Sequence, residues 1–319
     1  MPAISASAPG KIILFGEHSV VYGQPAIAVP VTQVQAKAII TARPDRPAGR
    51  VDLVAPNIGL EIFLKDLPED HPLSFVVERV FQETAISRPP AMTIRITSTI
   101  PIAAGLGSGA AVSVAIIRTL SEFLGQPLPD DRVSNLAYEV EKLHHGTPSG
   151  IDNTVITFAM PVHFKRTSKD GSQKVETFKV AEPFTIIIGD SGIPSPTAIT
   201  VADVRLAWQA DPKTFDDIFD SIGEIVIHGK RAIEQGDSDA LGALMDQNHG
   251  MLVKMGVSSP ELDNLVRAAR QAGALGAKLS GGGRGGNMIS LVRPTDADRV
   301  SEALMAAGAT NTIITVVRN

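Results

Sequence analysis

A glycine-rich segment that separates a strand from a long apolar helix constrains the fold of this chain most. Residues 101–111 read PIAAGLGSGAA; alternating apolar residues predict a strand over 92–98 before them, and nearly continuous apolar residues predict a buried helix over 110–124 after them. Glycines in such a unit let the backbone N–H groups at the helix N-terminus approach an anion, which the helix dipole also favours. No Gly-Lys-Ser/Thr sequence follows, so this is not a Walker A loop. The residues alone leave two interpretations, a phosphate-binding loop and a tight turn without a ligand.

A second glycine-rich segment lies at 278–287 and reads KLSGGGRGGN. Gly281, Gly283 and Gly286 match the GxGxxG spacing of dinucleotide-binding loops, but that fingerprint must open a helix. The residues NMISLV predict a strand over 287–292 instead, so we reject a nicotinamide-binding site here. Five glycines in six positions are entropically unfavourable in a plain turn, which favours close packing against a ligand or another loop. A flexible hairpin loop is the alternative.

Composition and charge exclude several classes of function. The 319 residues carry 29 Lys and Arg against 34 Asp and Glu, a formal net charge of −5 without a basic stripe, so we expect no nucleic-acid partner. The chain has no cysteine, which excludes disulfides, thiolate zinc sites and a cysteine nucleophile. No window approaches the roughly 18 to 20 apolar residues that cross a bilayer. We therefore expect a soluble, cytoplasmic protein without a membrane partner.

The predicted elements indicate an α+β fold in two domains, 1–182 and 183–319. In the first half, strands are predicted over 12–15, 26–31, 34–41 and 92–98, and helices over 110–124 and 133–144. In the second half, strands are predicted over 184–188, 287–292 and 310–317, and helices over 215–234, 238–253, 259–273 and 297–307. Leu136, Val140 and Leu143 are expected on the buried face of their helix.

Polar residues lie on both sides of a short apolar strand near the N-terminus, in the sequence APGKIILFGEH at 8–18. Lys11 precedes the strand, and Glu17 and His18 follow it. Taken alone, Lys11 is typical of a solvated strand end, and the other two are typical of polar loop residues.

Two acidic residues flank a Gly/Pro/Ser turn further along the chain. Glu141 lies near the end of a predicted helix, where the dipole disfavours a negative charge, so a cationic partner is expected. That partner is either Mg²⁺, which takes one or two carboxylates together with nucleotide phosphates, or a basic side chain in a surface salt bridge, Lys142 or a nearby arginine. Asp152 follows the turn. His144 and His145 point in different directions on a helix and have no third ligand at suitable spacing, so structural roles are expected for both.

Together these segments resemble the motifs of the GHMP small-molecule kinases, which include galactokinase, homoserine kinase, mevalonate kinase and phosphomevalonate kinase. All three family motifs occur in the right order between residues 8 and 287. The sequences PGKIILFGEHSVVYGQPAIA at 9–28 and HGTPSGIDN at 145–153 are most similar to the mevalonate kinases. The resemblance implies an N-terminal domain like domain 2 of ribosomal protein S5 and a ferredoxin-like C-terminal domain. It also implies ATP- and Mg²⁺-dependent phosphorylation of mevalonate by a homodimer.

The resemblance also implies roles for single residues. Asp152 matches the family's catalytic base, and Lys11 matches the lysine that contacts this aspartate and the reacting oxygen. The implied Mg²⁺ ligands are Glu141 and Ser108. The implied ATP-binding residues are Pro101, Ala104, Gly105, Leu106, Gly107, Ser108, Gly109 and Ala110. The implied acceptor-binding residues are Glu17, His18, Asp152, Thr197, Ser280 and Gly281, and the loop 281–286 is expected to support the first loop.

Both glycine-rich segments depart from the family pattern. The first loop usually reads Gly-Leu-Gly-Ser-Ser, and Gly109 replaces the second serine, which is a Mg²⁺ ligand. Ser108, a water molecule or a phosphate oxygen is expected to take its place. In the third motif, Gly282, Arg284 and Asn287 replace alanine, glycine and cysteine. Arg284 is expected either to contact a phosphate or to point to solvent.

Three alternatives to mevalonate phosphorylation follow from the same motifs. Phosphomevalonate as the acceptor would need extra cations, and no surplus of them is visible beside the Gly-Glu-His sequence at 16–18. Mevalonate diphosphate decarboxylase is disfavoured because its opening motif lacks that sequence. A non-catalytic ligand sensor on the same fold is supported by Gly109 alone and opposed by the retained lysine and carboxylates.

Overall fold

The structure is a computed structural model, and it describes residues 3–101, 104–145, 149–166 and 173–319. These residues form eleven β-strands and nine α-helices. The strands are β1 (Ala3–Phe15), β2 (Ala26–Ala42), β3 (Val51–Ala55), β4 (Leu60–Phe63), β5 (Met92–Ser98), β6 (Val162–Arg166), β7 (Gln173–Thr177), β8 (Phe184–Asp190), β9 (Gly276–Ser280), β10 (Asn287–Val292) and β11 (Asn311–Val317). The helices are α1 (Pro72–Glu83), α2 (Ser108–Phe123), α3 (Asp130–His145), α4 (Ile151–Phe158), α5 (Thr197–Ala210), α6 (Pro212–Gln235), α7 (Ser238–Lys254), α8 (Pro260–Gln271) and α9 (Ala297–Ala306). Among the described residues, no helix combines the length and the apolar character needed to cross a bilayer.

Contacts between Cα atoms divide the chain into two compact units. The first unit contains residues 1–10, 34–102 and 107–159, and the second unit contains residues 11–33, 103–106 and 160–319. The domain boundary that the sequence predicts near residue 182 stays a prediction.

The first unit combines a mixed sheet with four helices. β3 pairs antiparallel with β4 and parallel with β5, and β5 pairs antiparallel with the second half of β2. α2 packs against α1, α3 and α4. Its side chains Val114, Ile116, Ile117 and Leu120 are fully buried. An apolar residue at almost every position therefore produces a central helix, since a surface helix would keep one polar face.

The second unit contains antiparallel pairings and the remaining five helices. Residues 26–28 of β2 pair with β6, and β6 pairs with β7. A separate four-stranded sheet has the order β11-β8-β10-β9 and is antiparallel throughout, and α8 and α9 pack on it. This strand order, with helices between β8 and β9 and between β10 and β11, is ferredoxin-like. The predicted α+β fold class is confirmed.

One long strand, β2, replaces two predicted ones. Residues 26–31 are buried on both faces, whereas the residues from 34 onward alternate between buried and exposed or half-exposed positions. Thr32 and Gln33 are both exposed where the pattern changes, and the backbone stays extended through them. A change from continuous to alternating apolar residues therefore marks a change of surroundings rather than the end of a strand.

The prediction for Leu143 is wrong. Leu136 and Val140 are buried in α3 as expected, but Leu143 is 42% exposed. The last turn of the helix buries Glu141 instead. The buried face of α3 thus includes a carboxylate, which lies next to Gly109 of α2.

Candidate active site

The first glycine-rich segment opens α2, as the sequence predicts. The helix begins at Ser108 after Gly107, whose backbone is left-handed with φ 73°. Its N-cap residue is a glycine and makes no side-chain cap, and the first N–H groups of a helix have no partner within the helix, which suits an external acceptor. Gly105 has φ 71°, and no described heavy atom lies within 4 Å of a Cβ placed on it. An anion could approach the backbone at Gly105 without displacing the described atoms.

A pocket of about 330 Å³ lies beside the start of α2. Its lining is mainly apolar and includes Asn57, Ile58, Leu73, Ile96, Pro101 and Ser108. Asn57 Oδ1 accepts a hydrogen bond of 3.0 Å from the backbone N–H of Ser98, which fixes the orientation of its amide. The volume is in the range of small-ligand pockets. Asn57 and Ile58 are absent from the predicted site residues, since the turn between β3 and β4 gives no local signal of binding.

Glu141 is buried in α3 beside the start of α2. Its Oε1 lies 3.6 Å from the position that a Cβ would take at Gly109. Carboxylate and hydroxyl oxygens, as on Glu141 and Ser108, fit a Mg²⁺ ion that takes further ligands from phosphates and water. No group of three or more His, Cys, Asp or Glu suited to a metal occurs in the described part of the chain. The side chains of His144 and His145, for which structural roles are predicted, lie outside the described residues.

Asp152 lies in the first turn of the short helix α4, where a carboxylate complements the helix dipole. Gly150 precedes the helix in a left-handed conformation with φ 78°. The next residue, Asn153, anchors the helix on α3: its Nδ2 donates to the backbone oxygen and to Oγ of Ser134, at 3.2 and 2.9 Å. Asp152 itself is half-buried. Its carboxylate is therefore placed by a fixed backbone and is not fully enclosed.

Lys11 lies in the second unit and is buried in β1, so it is not a solvated strand end. Its backbone N–H donates to the carbonyl oxygen of Leu106 at 2.9 Å. From the other side, Asn287 Nδ2 donates to the carbonyl oxygen of Ala104 at 2.6 Å. The first loop is thus held by β1 and by the end of the second glycine-rich segment. The sequence predicts that the loop 281–286 supports the first loop. The observed contact comes from Asn287, the residue directly after that loop.

Glu17 forms a buried ion pair with Lys278 of β9. The two side chains are 1% and 0% exposed, and Lys278 Nζ also donates to the carbonyl oxygen of Leu279 at 2.7 Å. Burial raises the pKa of Glu17, and the ammonium group of Lys278 offsets part of that rise. Burial likewise lowers the pKa of Lys278, and Glu17 opposes this. Lys278 is absent from the predicted site residues, although a lysine in an otherwise apolar strand is a signal for a buried partner.

His18 Nε2 lies 3.0 Å from the carbonyl oxygen of Gly282. Because a carbonyl only accepts, Nε2 carries the proton. Burial lowers the pKa of His18, which favours the neutral ring, and the Gly282 carbonyl opposes this. A Cβ at Gly282 would overlap Oγ1 of Thr197, a second predicted acceptor-binding residue. His18 and Thr197 therefore both adjoin this glycine.

Ser280 and Gly281 lie between the ion pair and Gly282. Ser280 Oγ donates to the carbonyl oxygen of Ile13 at 2.7 Å, so its proton is used within the protein. Gly281 has φ 89°, and no described atom lies within 4 Å of a Cβ placed on it. That these two residues bind the acceptor stays a prediction.

The side chain of Arg284 contacts other residues of the protein. Its guanidinium group pairs with Asp203 of α5, and its Nε donates to the carbonyl oxygen of Gly256 at 3.4 Å. The sequence predicts that Arg284 contacts a phosphate or points to solvent. In the structure, the carboxylate of Asp203 balances its charge. This contact ties the second glycine-rich segment to the helix that begins at Thr197.

The predicted site residues divide between the two units. The first unit holds Pro101, Gly107, Ser108, Gly109, Ala110, Glu141 and Asp152. The second unit holds Lys11, Glu17, His18, Ala104, Gly105, Leu106, Thr197, Ser280 and Gly281.

Comparison with known proteins agrees with this fold and these motifs. Residues 73–160 match the GHMP kinase N-terminal domain model, and residues 230–310 match the GHMP kinase C-terminal model. The chain belongs to the GHMP kinase family. It is 37% identical to the mevalonate kinase of Thermococcus sibiricus (96% of this chain and 93% of the relative) and 36% identical to that of Pyrococcus furiosus (99% and 96%). The crystal structure of L. major mevalonate kinase in complex with R-mevalonate superposes with a TM-score of 0.84 at 29% identity, over 98% of this chain and 95% of that one.

Proposed function

We propose that this chain transfers the γ-phosphoryl group of ATP to the primary hydroxyl of mevalonate, which yields ADP and 5-phosphomevalonate for isoprenoid synthesis. The observation that carries the proposal is the similarity along almost the whole chain to relatives named mevalonate kinase. Phosphoryl transfer needs positioned reactants and neutralised charge rather than covalent chemistry by the protein. The described residues offer groups for each of these tasks.

The start of α2 and the pocket beside it are the proposed nucleotide site. The uncapped N–H groups of the helix suit phosphate oxygens, and the apolar pocket beside Pro101 and Ser108 suits the base. Glu141 and Ser108 would hold Mg²⁺, which supplies charge neutralisation at the phosphates when bound. Gly109 adds no ligand, so the remaining ligands would come from water and phosphate.

Asp152 and Lys11 are the proposed catalytic residues. Asp152 accepts the proton of the mevalonate hydroxyl as the hydroxyl oxygen attacks the γ-phosphorus. The bond from that phosphorus to the β–γ bridging oxygen breaks, and ADP leaves with the electron pair. Lys11 stabilises the negative charge that develops on the attacking oxygen.

His18 and Thr197 are the proposed contacts to the acceptor, with Glu17, Ser280 and Gly281 around them. Because Nε2 of His18 donates to Gly282, Nδ1 of the neutral ring is the acceptor that it can offer to a substrate hydroxyl. A homodimer, implied by the family resemblance, is part of the same proposal.

A substrate panel tests the function. ADP release from Mg·ATP would be measured with mevalonate, phosphomevalonate, homoserine and galactose in turn. Turnover with mevalonate alone is expected. Turnover with phosphomevalonate instead would agree with the fold and with kinase chemistry but would refute mevalonate as the acceptor. Binding of ATP without turnover of any of the four would favour the sensor.

Replacement of the proposed base tests the mechanism. Asp152→Asn is expected to lower kcat by about 10²–10⁴-fold, because the hydroxyl proton loses its acceptor, while ATP binding persists. Calorimetric titration with ATP and steady-state kinetics give the two quantities. Asp298→Asn is the matched control, since Asp298 is an exposed aspartate in the first turn of α9. An Asp152→Asn variant as active as this control would contradict the assignment.

A further inference from the structure

The turn at 16–18 has an unusual backbone. Gly16 has φ 97°, and a Cβ there would lie 2.5 Å from the carbonyl oxygen of Pro25, so a larger residue does not fit. His18 has φ 58° and ψ −50°, a conformation that residues with side chains rarely adopt. Such a conformation persists only where the surrounding structure holds it. The position of the His18 ring therefore depends on what packs against the turn.

β9 and the loop that follows it hold the turn at three points. Lys278 pairs with Glu17, and the carbonyl oxygen of Gly282 accepts from His18 Nε2 at 3.0 Å. Ser280 Oγ donates to a backbone carbonyl of β1, just before the turn, at 2.7 Å. Lys278 and Ser280 are two positions apart in β9, so their side chains lie on one side of the strand, and the backbone carbonyl of Gly282 follows in the loop.

The ion pair is the only one of these three contacts that joins two ionisable side chains, and both of them are buried. Within the described part of the chain, Glu17 Oε2 has no hydrogen-bond partner, so Lys278 is the group that holds this carboxylate through Oε1. Loss of one partner from a buried pair leaves an uncompensated charge, whereas loss of both does not. Variants that lack one or both partners therefore distinguish the effect of an unpaired buried charge from the effect of a displaced turn.

We propose that Lys278 is a positioning residue for the acceptor substrate: its ammonium group holds Glu17, and Glu17 holds the turn that presents His18. Lys278 is 0% exposed and its ammonium group pairs with Glu17, so the proposed role is indirect and runs through Glu17. The inference rests on the proposed function, in which His18 binds mevalonate.

The test compares Lys278→Met with a matched variant of another ion pair. Lys278→Met is expected to raise KM for mevalonate about tenfold or more, because the His18 ring loses its position, and to change KM for ATP less than about twofold. Amide hydrogen exchange of residues 16–22, followed by mass spectrometry, should become about tenfold faster. Lys230→Met is the control, since Lys230 pairs with Glu234 in the same unit but is partly exposed. Lys230→Met should change neither KM for mevalonate nor the exchange rate of residues 16–22.

The double variant Glu17→Gln with Lys278→Met separates positioning from stability. Removal of both charges should restore the Tm toward that of the natural protein, while KM for mevalonate stays high because the turn lacks one of its three anchoring contacts. This variant also decides the question if Lys278→Met does not fold. A natural KM for mevalonate together with unchanged exchange at 16–22 would overturn the inference. If the natural protein does not phosphorylate mevalonate, the proposed function fails, and the exchange measurement still decides whether Lys278 anchors the turn.

Discussion

The two glycine-rich segments differ in what surrounds their glycines. No described atom lies within 4 Å of a Cβ placed on Gly105 in the first segment. In the second segment, a Cβ on Gly283 would overlap the carbonyl oxygen of Val257, and one on Gly285 would lie 2.6 Å from that of Ile193. The first segment is open around Gly105, whereas Gly283 and Gly285 of the second segment are packed against the protein; Gly281, at the start of the second segment, is open as well.

This difference separates two uses of glycine that look alike in sequence. Glycines with open space around them leave room for a ligand to approach the backbone, as the proposed phosphate site requires. Glycines with protein atoms at the Cβ position let two parts of the chain pack closely. The second segment therefore works by holding other parts of the site, through Gly282 to His18 and through Asn287 to the first loop.

Gly283→Ala should have the largest effect of the substitutions that test this difference. Strain at φ 75° and overlap with Val257 together should lower the free energy of unfolding by about 3 kcal/mol or more. Urea denaturation measures the change. Gly256→Ala is the matched control, because Gly256 has φ 77° and no described atom near its Cβ position, so about 1–2 kcal/mol of strain alone is expected. Equal losses for the two variants would mean that the packing of the second segment contributes little.

Gly105→Ala should have an intermediate effect on stability and a specific effect on the nucleotide. At φ 71° with open space, the expected loss of unfolding free energy is about 1–2 kcal/mol. The added methyl group would occupy the approach of the phosphates, so KM for ATP should rise about tenfold, equivalent to about 1.4 kcal/mol of binding. Gly125→Ala, at φ 76° and also open, should lose the same stability without a change in KM. A natural KM for ATP in Gly105→Ala would refute the open segment as a phosphate site.

Gly109→Ser should have the smallest effect. A Cβ at this helical position lies at an ordinary contact distance of 3.6 Å from Glu141 Oε1, and serine is a better helix former than glycine by about 0.5 kcal/mol. We expect slightly higher stability and a two- to threefold lower Mg²⁺ concentration for half-maximal activity, because the hydroxyl adds an oxygen ligand. Gly109→Ala should raise stability as well but leave the Mg²⁺ dependence unchanged. The same Mg²⁺ dependence in both variants would show that the metal does not use this position.

Local patterns predicted the elements whose surroundings are uniform along their length. The buried helix α2 and the strand β10 follow from continuous apolar residues, and β10 was enough to reject the dinucleotide fingerprint. The helix α4 has no predicted counterpart, because its eight residues are too few for a clear period. The sequence does not predict the helix α5 for a different reason. This helix buries few residues, so its faces differ little in hydrophobicity.

The sequence by itself determined the family, the α+β class and the candidate residues, because motifs record the local chemistry that phosphate binding and proton transfer require. Only the tertiary structure decided which glycines are open, and that Glu17 is paired with Lys278, 261 positions away in the chain. The contact between His18 and Gly282 spans 264 positions. Such contacts depend on how distant strands and loops pack together, and neither local propensity nor residue spacing records that packing.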